Sequence, residues 1–253
     1  MAHRFFAPPA HISTADITLD SDEATHLTRV LRLGVGARVR VFDGAGHEYE
    51  CQVLTVARGR VNLSILREIV DTVEAPIHVT LAQALIKSDK FDWVTQKAAE
   101  LGVARIVPLT TKYSERLRSE EHWEKRQRRW DRISLEALKQ CGRRNLVEIM
   151  QPMNWEEYCQ FESSQLKVVL SEREGRTLAS VAETAAQIET VSLAVGPEGG
   201  WDKGELATAQ AGGFIPVHLG PRILRTETAA IAGISLVQFL FGDLGSQGRT
   251  LPQ

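Results

Sequence analysis

Two short segments concentrate the residue types that binding chemistry needs. They are Val195-Gly196-Pro197-Glu198-Gly199-Gly200 and Leu219-Gly220-Pro221-Arg222-Ile223-Leu224-Arg225-Thr226-Glu227-Thr228-Ala229. Glycines without a Cβ let the backbone turn sharply and approach a ligand closely. Glu198 is the lone acid of the first segment, and Arg225 and Glu227 place a cation and a carboxylate close together in the second. Such a carboxylate can take a proton, and such a guanidinium can stabilise a developing anion or hold a phosphate. The same residues also fit a plainer role: Gly-Pro turns, capping carboxylates and a surface ion pair between Arg225 and Glu227. Neither segment carries the Gly-Lys-Ser/Thr of a P-loop or the Gly-x-Gly-x-x-Gly of a dinucleotide site. Residue chemistry alone defines a pocket and leaves its ligand open.

The elements around these segments follow from periodicity. Ile17-Thr18-Leu19, Ala37 to Phe42, Glu48 to Ala57 and Val61 to Leu66 read as short strands with Gly-containing turns between them. Asp22 to Leu33 reads as a helix capped by Ser21 or Asp22. This is the pattern of a small antiparallel barrel. Ile69 to Pro76 reads as a connector, after which strands alternate with helices. Strands are expected at Ile77 to Ile86, Ile106 to Leu109, Val147 to Met150, Val168 to Leu170, Val191 to Val195 and Ile215 to Leu219. Helices are expected at Asp89 to Leu101 (capped by Ser88), Glu120 to Cys141, Trp155 to Phe161, Leu178 to Gln187, Lys203 to Ala211 and Glu227 to Phe241, with Thr226 as the last cap. Alternation of this kind means an α/β unit with a mainly parallel sheet, which binds ligands in loops at the carboxyl ends of its strands. Both glycine segments fall at such ends. The change of rhythm divides the chain into residues 1–72, residues 73–245 and a loose tail at 246–253.

Composition narrows the class. The chain has 253 residues, 43% hydrophobic and 25% charged, with a net charge of -2. A whole-chain basic field is absent, so any contact with nucleic acid must come from local patches. Residues 112–144 hold 11 basic and 6 acidic side chains, whereas residues 151–253 hold 7 and 12. The three cysteines form no Cys-x-x-Cys pair, so neither a disulfide framework nor a thiolate metal site is indicated. Met1 to Pro9 contains no apolar run of signal-peptide length, and Thr228 to Phe241 is too short and interrupted to span a bilayer. The expectation is a soluble, cytoplasmic protein without metal or membrane.

The order of several motifs goes further. The chain carries His26-Leu-Thr-Arg-Val30-Leu-Arg32, Gln96-Lys97-Ala-Ala-Glu100-Leu-Gly102-Val, and Ile106-Val-Pro108-Leu. Arg129-Trp130 then precedes Glu136-Ala137 and Gln140-Cys-Gly-Arg143, followed by the two glycine segments. In this it resembles, over nearly its whole length, the ribosomal RNA small subunit methyltransferase E family. That is a SPOUT group that methylates N3 of a uridine in 16S ribosomal RNA. It departs at Val147, where the family often has proline, and at Lys139, where the family often has glutamate.

The resemblance implies an N-terminal PUA-like β-barrel, a C-terminal SPOUT domain with a trefoil knot, a homodimer, and S-adenosylmethionine as cofactor. It implies cofactor contacts from Leu170, Ser171 and Glu172. It implies others from Val195, Gly196, Pro197, Gly199 and Gly200, and from Leu219, Gly220, Ile223, Leu224, Arg225, Thr226 and Ala229. The RNA partner would be 16S rRNA or the small ribosomal subunit. Uracil N3 must lose a proton before it can accept a methyl group, and pairing hides it, so the base must be unpaired or extruded. Glu198 and Glu227 are the candidate proton acceptors and Arg225 the candidate anion stabiliser. Lys125, Arg129, Arg132, Lys139 and Arg143 share one face of the long helix, and Arg4, Arg29 and Arg32 lie in the barrel; these are the candidate RNA contacts, with solvated charge as the alternative. Two other readings stay open: a SPOUT enzyme acting at another RNA position, and a non-catalytic RNA-binding protein.

Overall fold

The computed structural model describes residues 3–70, 73–116, 119–172, 174–184 and 187–245, apart from the side chain of Ser21. The tail expected at 246–253 lies outside them, as does part of the connector. The chain forms two compact units: Met1–Glu74 with Leu138–Leu146, and Ala75–Ala137 with Val147–Gln253. The division expected near residue 72 is therefore not a single cut, because a segment from far downstream completes the first unit.

The first unit holds β1 (Arg4–Phe6), β2 (Asp16–Asp20), α1 (Ser21–Thr25), β3 (Arg38–Phe42), β4 (Glu48–Ala57) and β5 (Arg60–Glu68). Its sheet runs β1-β3-β4-β5-β2. Every pairing is antiparallel except β1 with β3, and β1 is a strand that the sequence pattern did not mark. Alternate residues of β2 to β5 point inward, so that Ile17, Leu19, Val39, Val41, Val53, Val61 and Leu63 are almost wholly buried. The helix expected from Asp22 to Leu33 is a short α1 followed by a π-turn over His26–Val30, and its cap position is Asp20 rather than Ser21 or Asp22.

Within this unit Arg4 has lost its expected place on an RNA surface. Its guanidinium pairs with Glu48 at 2.8 Å and donates to the carbonyls of Leu138, Lys139, Gly142 and Arg143. Arg143 is likewise buried and pairs with Glu74 at 2.9 Å. Arg144 closes the network on Glu48 at 3.1 Å. Charges this deep are kept only because each is paired and hydrogen-bonded.

The second unit holds β6 (His78–Ala84), α2 (Ser88–Glu100), β7 (Val103–Thr110), α3 (Glu120–Cys141, whose last turn from Leu138 belongs to the first unit), β8 (Glu148–Ile149), β9 (Met153–Asn154) and α4 (Trp155–Phe161). It continues with β10 (Leu166–Leu170), β11 (Arg176–Thr177), α5 (Leu178–Ala182), β12 (Thr190–Val195), α6 (Lys203–Ala211), β13 (Ile215–His218) and α7 (Thr226–Phe241). The strand order is β11-β13-β10-β12-β6-β7-β8, with β9 also on β7, and every pairing is parallel. The parallel sheet expected from the alternation is present, and its central strands β6 and β12 are buried almost end to end. β13 lies between β10 and β11, and the segment joining those two strands packs hard on it. A Cβ at Gly175 would stand 2.3 Å from the Pro216 carbonyl oxygen.

Helix α2 buries Phe91, Val94 and Ala98 at helical spacing and ends at Gly102, whose φ of 85° suits the left-handed region. Phe91 stacks on Trp130 of α3 at 4.1 Å. Two expected caps are displaced by one residue: Ser88 and Thr226 are the first helical residues of α2 and α7, and the cap positions are Lys87 and Arg225.

Candidate functional site

Five loops leave the carboxyl ends of neighbouring parallel strands and frame one cavity of about 940 Å³. Three follow β10, β12 and β13, the fourth joins β6 to α2, and the fifth follows β7. All the residues expected to contact a cofactor line this cavity, from Leu170 to Glu172, along the 195–200 turn, and from Leu219 to Ala229.

The two glycine segments are tied together by one hydroxyl. Thr226 is buried and donates to the Gly196 carbonyl at 2.6 Å, while its oxygen accepts from the Gln83 side chain at 3.1 Å. Thr226 therefore fastens the end of β12 to the start of α7, which is a different duty from the capping role the sequence suggested. Trp201 fastens the third loop: its indole N–H donates to the Leu170 carbonyl at 2.9 Å, and its ring lies 3.0 Å from where a Cβ on Gly196 would stand. Trp155 packs against the same ring at 4.5 Å. Gly196 is thus needed for the approach of Trp201. Gly199 is needed for the approach of Tyr113, whose Cβ lies 2.8 Å from the position a Gly199 Cβ would take.

Of the candidate catalytic residues, Glu198 and Arg225 line the cavity and Glu227 is not among its lining residues. Lys90, from the first turn of α2, hydrogen-bonds Glu198 and lies 3.6 Å from Glu227. The hydrogen bond from Lys90 holds the Glu198 carboxyl below the usual carboxylate range, with help from the charges of Lys87 and Arg225. In return Glu198 raises the Lys90 ammonium above its ordinary value. Arg225 does not pair with Glu227; its guanidinium makes no side-chain hydrogen bond or ion pair among the described residues. Lys87, Lys90, Tyr113 and Arg222 are lining residues that had no place among the expected contacts. The available signal was position, since Lys87 and Tyr113 lie just beyond the ends of β6 and β7.

The expected basic faces are only partly free. On α3, Lys125 pairs with Glu121 and Arg129 with Asp92, each at 2.7 Å, and Arg132 is exposed. Lys139 pairs with Glu23. Asp92 also accepts from the Trp130 indole at 2.9 Å, so the helix surface and the core share one carboxylate. In the first unit Arg29 and Arg32 are exposed, Arg32 at a φ of 54°. No group of side chains among the described residues could hold a metal ion.

Residues 73–238 match the family model described as an RNA methyltransferase domain, and residues 19–66 match that of an RNA methyltransferase PUA domain. With the parallel sheet and its joined loops, these matches define an RNA methyltransferase. Proteins called ribosomal RNA small subunit methyltransferase E are similar over most of the chain. The one from Synechocystis is 32% identical, covering 95% of this chain and 78% of its own. The one from Buchnera aphidicola of Schizaphis graminum is 31% identical, covering 90% and 92%. The chain belongs to the ribosomal RNA small subunit methyltransferase E family. Among solved structures, a Legionella pneumophila methyltransferase in complex with S-adenosylmethionine superposes with a TM-score of 0.89 at 32% identity, over 96% of this chain and all of the other. The Neisseria gonorrhoeae ribosomal RNA small subunit methyltransferase E, bound to the same cofactor, gives 0.88 at 30% over the same shares.

Proposed function

We propose that this protein uses S-adenosylmethionine to methylate N3 of a specific uridine in 16S ribosomal RNA. The observation that carries this reading is the Thr226 bond to Gly196, which makes two glycine-bearing strand ends into one cavity. The cavity fits an adenosyl ligand. Gly220, at a φ of 95°, has open space where a Cβ would stand, and Val195, Leu219, Ile223 and Leu224 offer apolar contact to a purine. Glu172 offers an acceptor for a hydroxyl or ammonium group. When bound, the cofactor supplies an electrophilic methyl group.

The remaining work falls to the chain. Glu198, ionised and held by Lys90, accepts the N3 proton, and Arg225, which makes no ion pair among the described residues, stabilises the negative charge left on the uracil oxygens. Glu227 orients Lys90 from behind. Positioning carries most of the rate, because the transfer is an in-line displacement.

In the same reading the second unit is knotted, supported by β13 lying between β10 and β11. The protein acts as a cytoplasmic homodimer. The dimer is supported by α7, which buries Ala230, Ile234 and Val237 but leaves Leu236 and Phe239 exposed. Arg29, Arg32, Lys125, Arg129 and Arg132 remain the proposed RNA contacts. The test is methyl transfer from labelled S-adenosylmethionine to small ribosomal subunits and to naked 16S rRNA, with the modified position mapped by mass. Label at N3 of a single uridine is expected. A protein that binds the RNA but not the cofactor would instead be a non-catalytic RNA-binding relative.

A further inference from the structure

The cavity has two sides. The loops after β13, β10 and β12, three consecutive neighbours in the sheet, bring the glycines and apolar side chains just assigned to the adenosyl group, together with charged side chains such as Glu172, Glu198 and Arg225. The other side comes from β6 and β7, beyond β12 in the strand order. Among the described residues it brings only Lys87, Lys90 and Tyr113 to the cavity.

Tyr113 is the unusual member. Of the other aromatic rings of this region, Trp155, Tyr158 and Phe214 are buried and Trp201 is partly buried, whereas Tyr113 is 51% exposed. Its loop is nevertheless held firmly. Ser114 accepts from the Thr111 N–H at 2.9 Å, the Glu115 N–H donates to the Leu85 carbonyl at 2.8 Å, and the Lys112 N–H donates to Glu205 at 2.8 Å. Lys112 is in turn fixed by Asp202 at 2.8 Å and lies 5.4 Å from the Tyr113 ring centre. A ring kept in place and left uncovered at the rim of a reaction cavity is suited to stacking. Lys87 adds a cation whose side chain makes no hydrogen bond or ion pair among the described residues.

We infer that the β6–β7 side of the cavity is the nucleotide subsite: Tyr113 stacks on the extruded uracil, and Lys87 contacts an adjoining phosphate. This rests on the methyltransferase reading and specifies where its substrate lies. An extruded base loses its stacking neighbours, and a protein ring replaces them at a gain of about one to two orders of magnitude per base. Tyr113 is a positioning residue in this scheme. It takes no part in bond making, and the base it holds is brought beside Glu198, which neighbours the Gly199 that Tyr113 packs against.

The test uses the full-length protein, labelled cofactor and small ribosomal subunits, with cofactor affinity measured separately by calorimetry. Tyr113→Ala keeps the Cβ that packs on Gly199. It is expected to lower kcat/KM for the RNA roughly 10- to 100-fold while the cofactor Kd is unchanged. Tyr113→Phe is expected to restore most of the loss. Lys87→Met is expected to raise KM for the RNA and to make its salt dependence shallower by about one phosphate contact. Unimpaired Tyr113→Ala would overturn the subsite, as would a Phe variant no better than Ala. A fall in cofactor affinity that accounts for the lost activity would place the ring over the adenosyl group and overturn it too. If the wild-type protein transfers no methyl group to either RNA form, the function and the subsite fall together; if it does and Tyr113→Ala matches it, only the subsite falls.

Discussion

Lys90 sets the charge state at the mouth of the cavity. Glu198 has a lowered pKa because Lys90 bonds it, so its share of stability is present above the ordinary carboxylate value and is lost as pH falls through the lowered one. Lys90 is raised, so its share is present below its ordinary value and is lost only as pH rises through the raised one. The pair is therefore intact throughout the neutral range. Glu198 is about half exposed and Lys90 about a quarter, so water screens the pair and the energy is small, but its pH dependence is diagnostic. The stability gap between the wild type and Lys90→Met, followed by urea unfolding from about pH 7 down to about pH 3, is expected to narrow towards acid. In methyl transfer, the acid limb of kcat/KM is expected to move to higher pH in Lys90→Met, as Glu198 returns towards its ordinary range. A limb that stays in place removes Glu198 as the proton acceptor.

The thiols are a second residue-scale case. Burial pushes Cys51 and Cys159 up to about 12, so neither is a thiolate at neutral pH. Iodoacetamide at about pH 8 is expected to leave both unmodified in the native protein, as peptide mass mapping would report.

At the scale of the elements, the loops depend on contacts that the protein makes with itself. Thr226→Val leaves the Gly196 carbonyl and the Gln83 amide short of a partner. It is expected to cost about 1–3 kcal/mol in urea unfolding and to weaken cofactor binding in the same sample. Gly199→Val is expected to abolish cofactor binding because its Cβ would displace the loop from Tyr113, rather than by meeting the ligand itself.

Most helices and strands were legible from their patterns, and the long helix and the 203–211 helix begin and end where the spacing placed them. Caps were less legible. Ser88 and Thr226 are both good capping residues by type, yet a hydroxyl at the first helical position serves equally to bond a neighbouring loop. The short strands β1, β9 and β11 carry too few residues to show any period. The glycine segments announced themselves because close approach requires glycine. Lys90 and Tyr113 did not, because they follow β6 and β7, far earlier in the chain than the glycine segments, and lysine or tyrosine at such a place is ordinary surface composition.

For the whole molecule, the two lost arginines matter as much as the retained ones. The sequence pointed to Arg4 and Arg143 by charge, but charge says nothing about burial. Arg4→Met strands several carbonyls and unbalances Glu48, and is expected to destabilise the protein by about 3 kcal/mol or more without a specific effect on the salt dependence of RNA binding. Arg129→Ala with Arg132→Ala is expected to weaken RNA binding and flatten its salt slope while cofactor affinity holds. Because Arg129 also pairs with Asp92, the single Arg132→Ala variant should carry most of the change in slope.

The arrangement around Arg4 also has a consequence for synthesis. Its carbonyl acceptors are some 135 residues downstream, and Glu48 and Glu74 likewise wait for Arg144 and Arg143. The amino-terminal portion therefore leaves the ribosome first but is finished late, once the stretch ending at Leu146 has emerged. A nascent chain halted before that point would keep the Arg4–Glu48 pair but would leave Glu74 without Arg143, Glu48 without Arg144 and Arg4 without its carbonyl acceptors, and would be a ready client for chaperones.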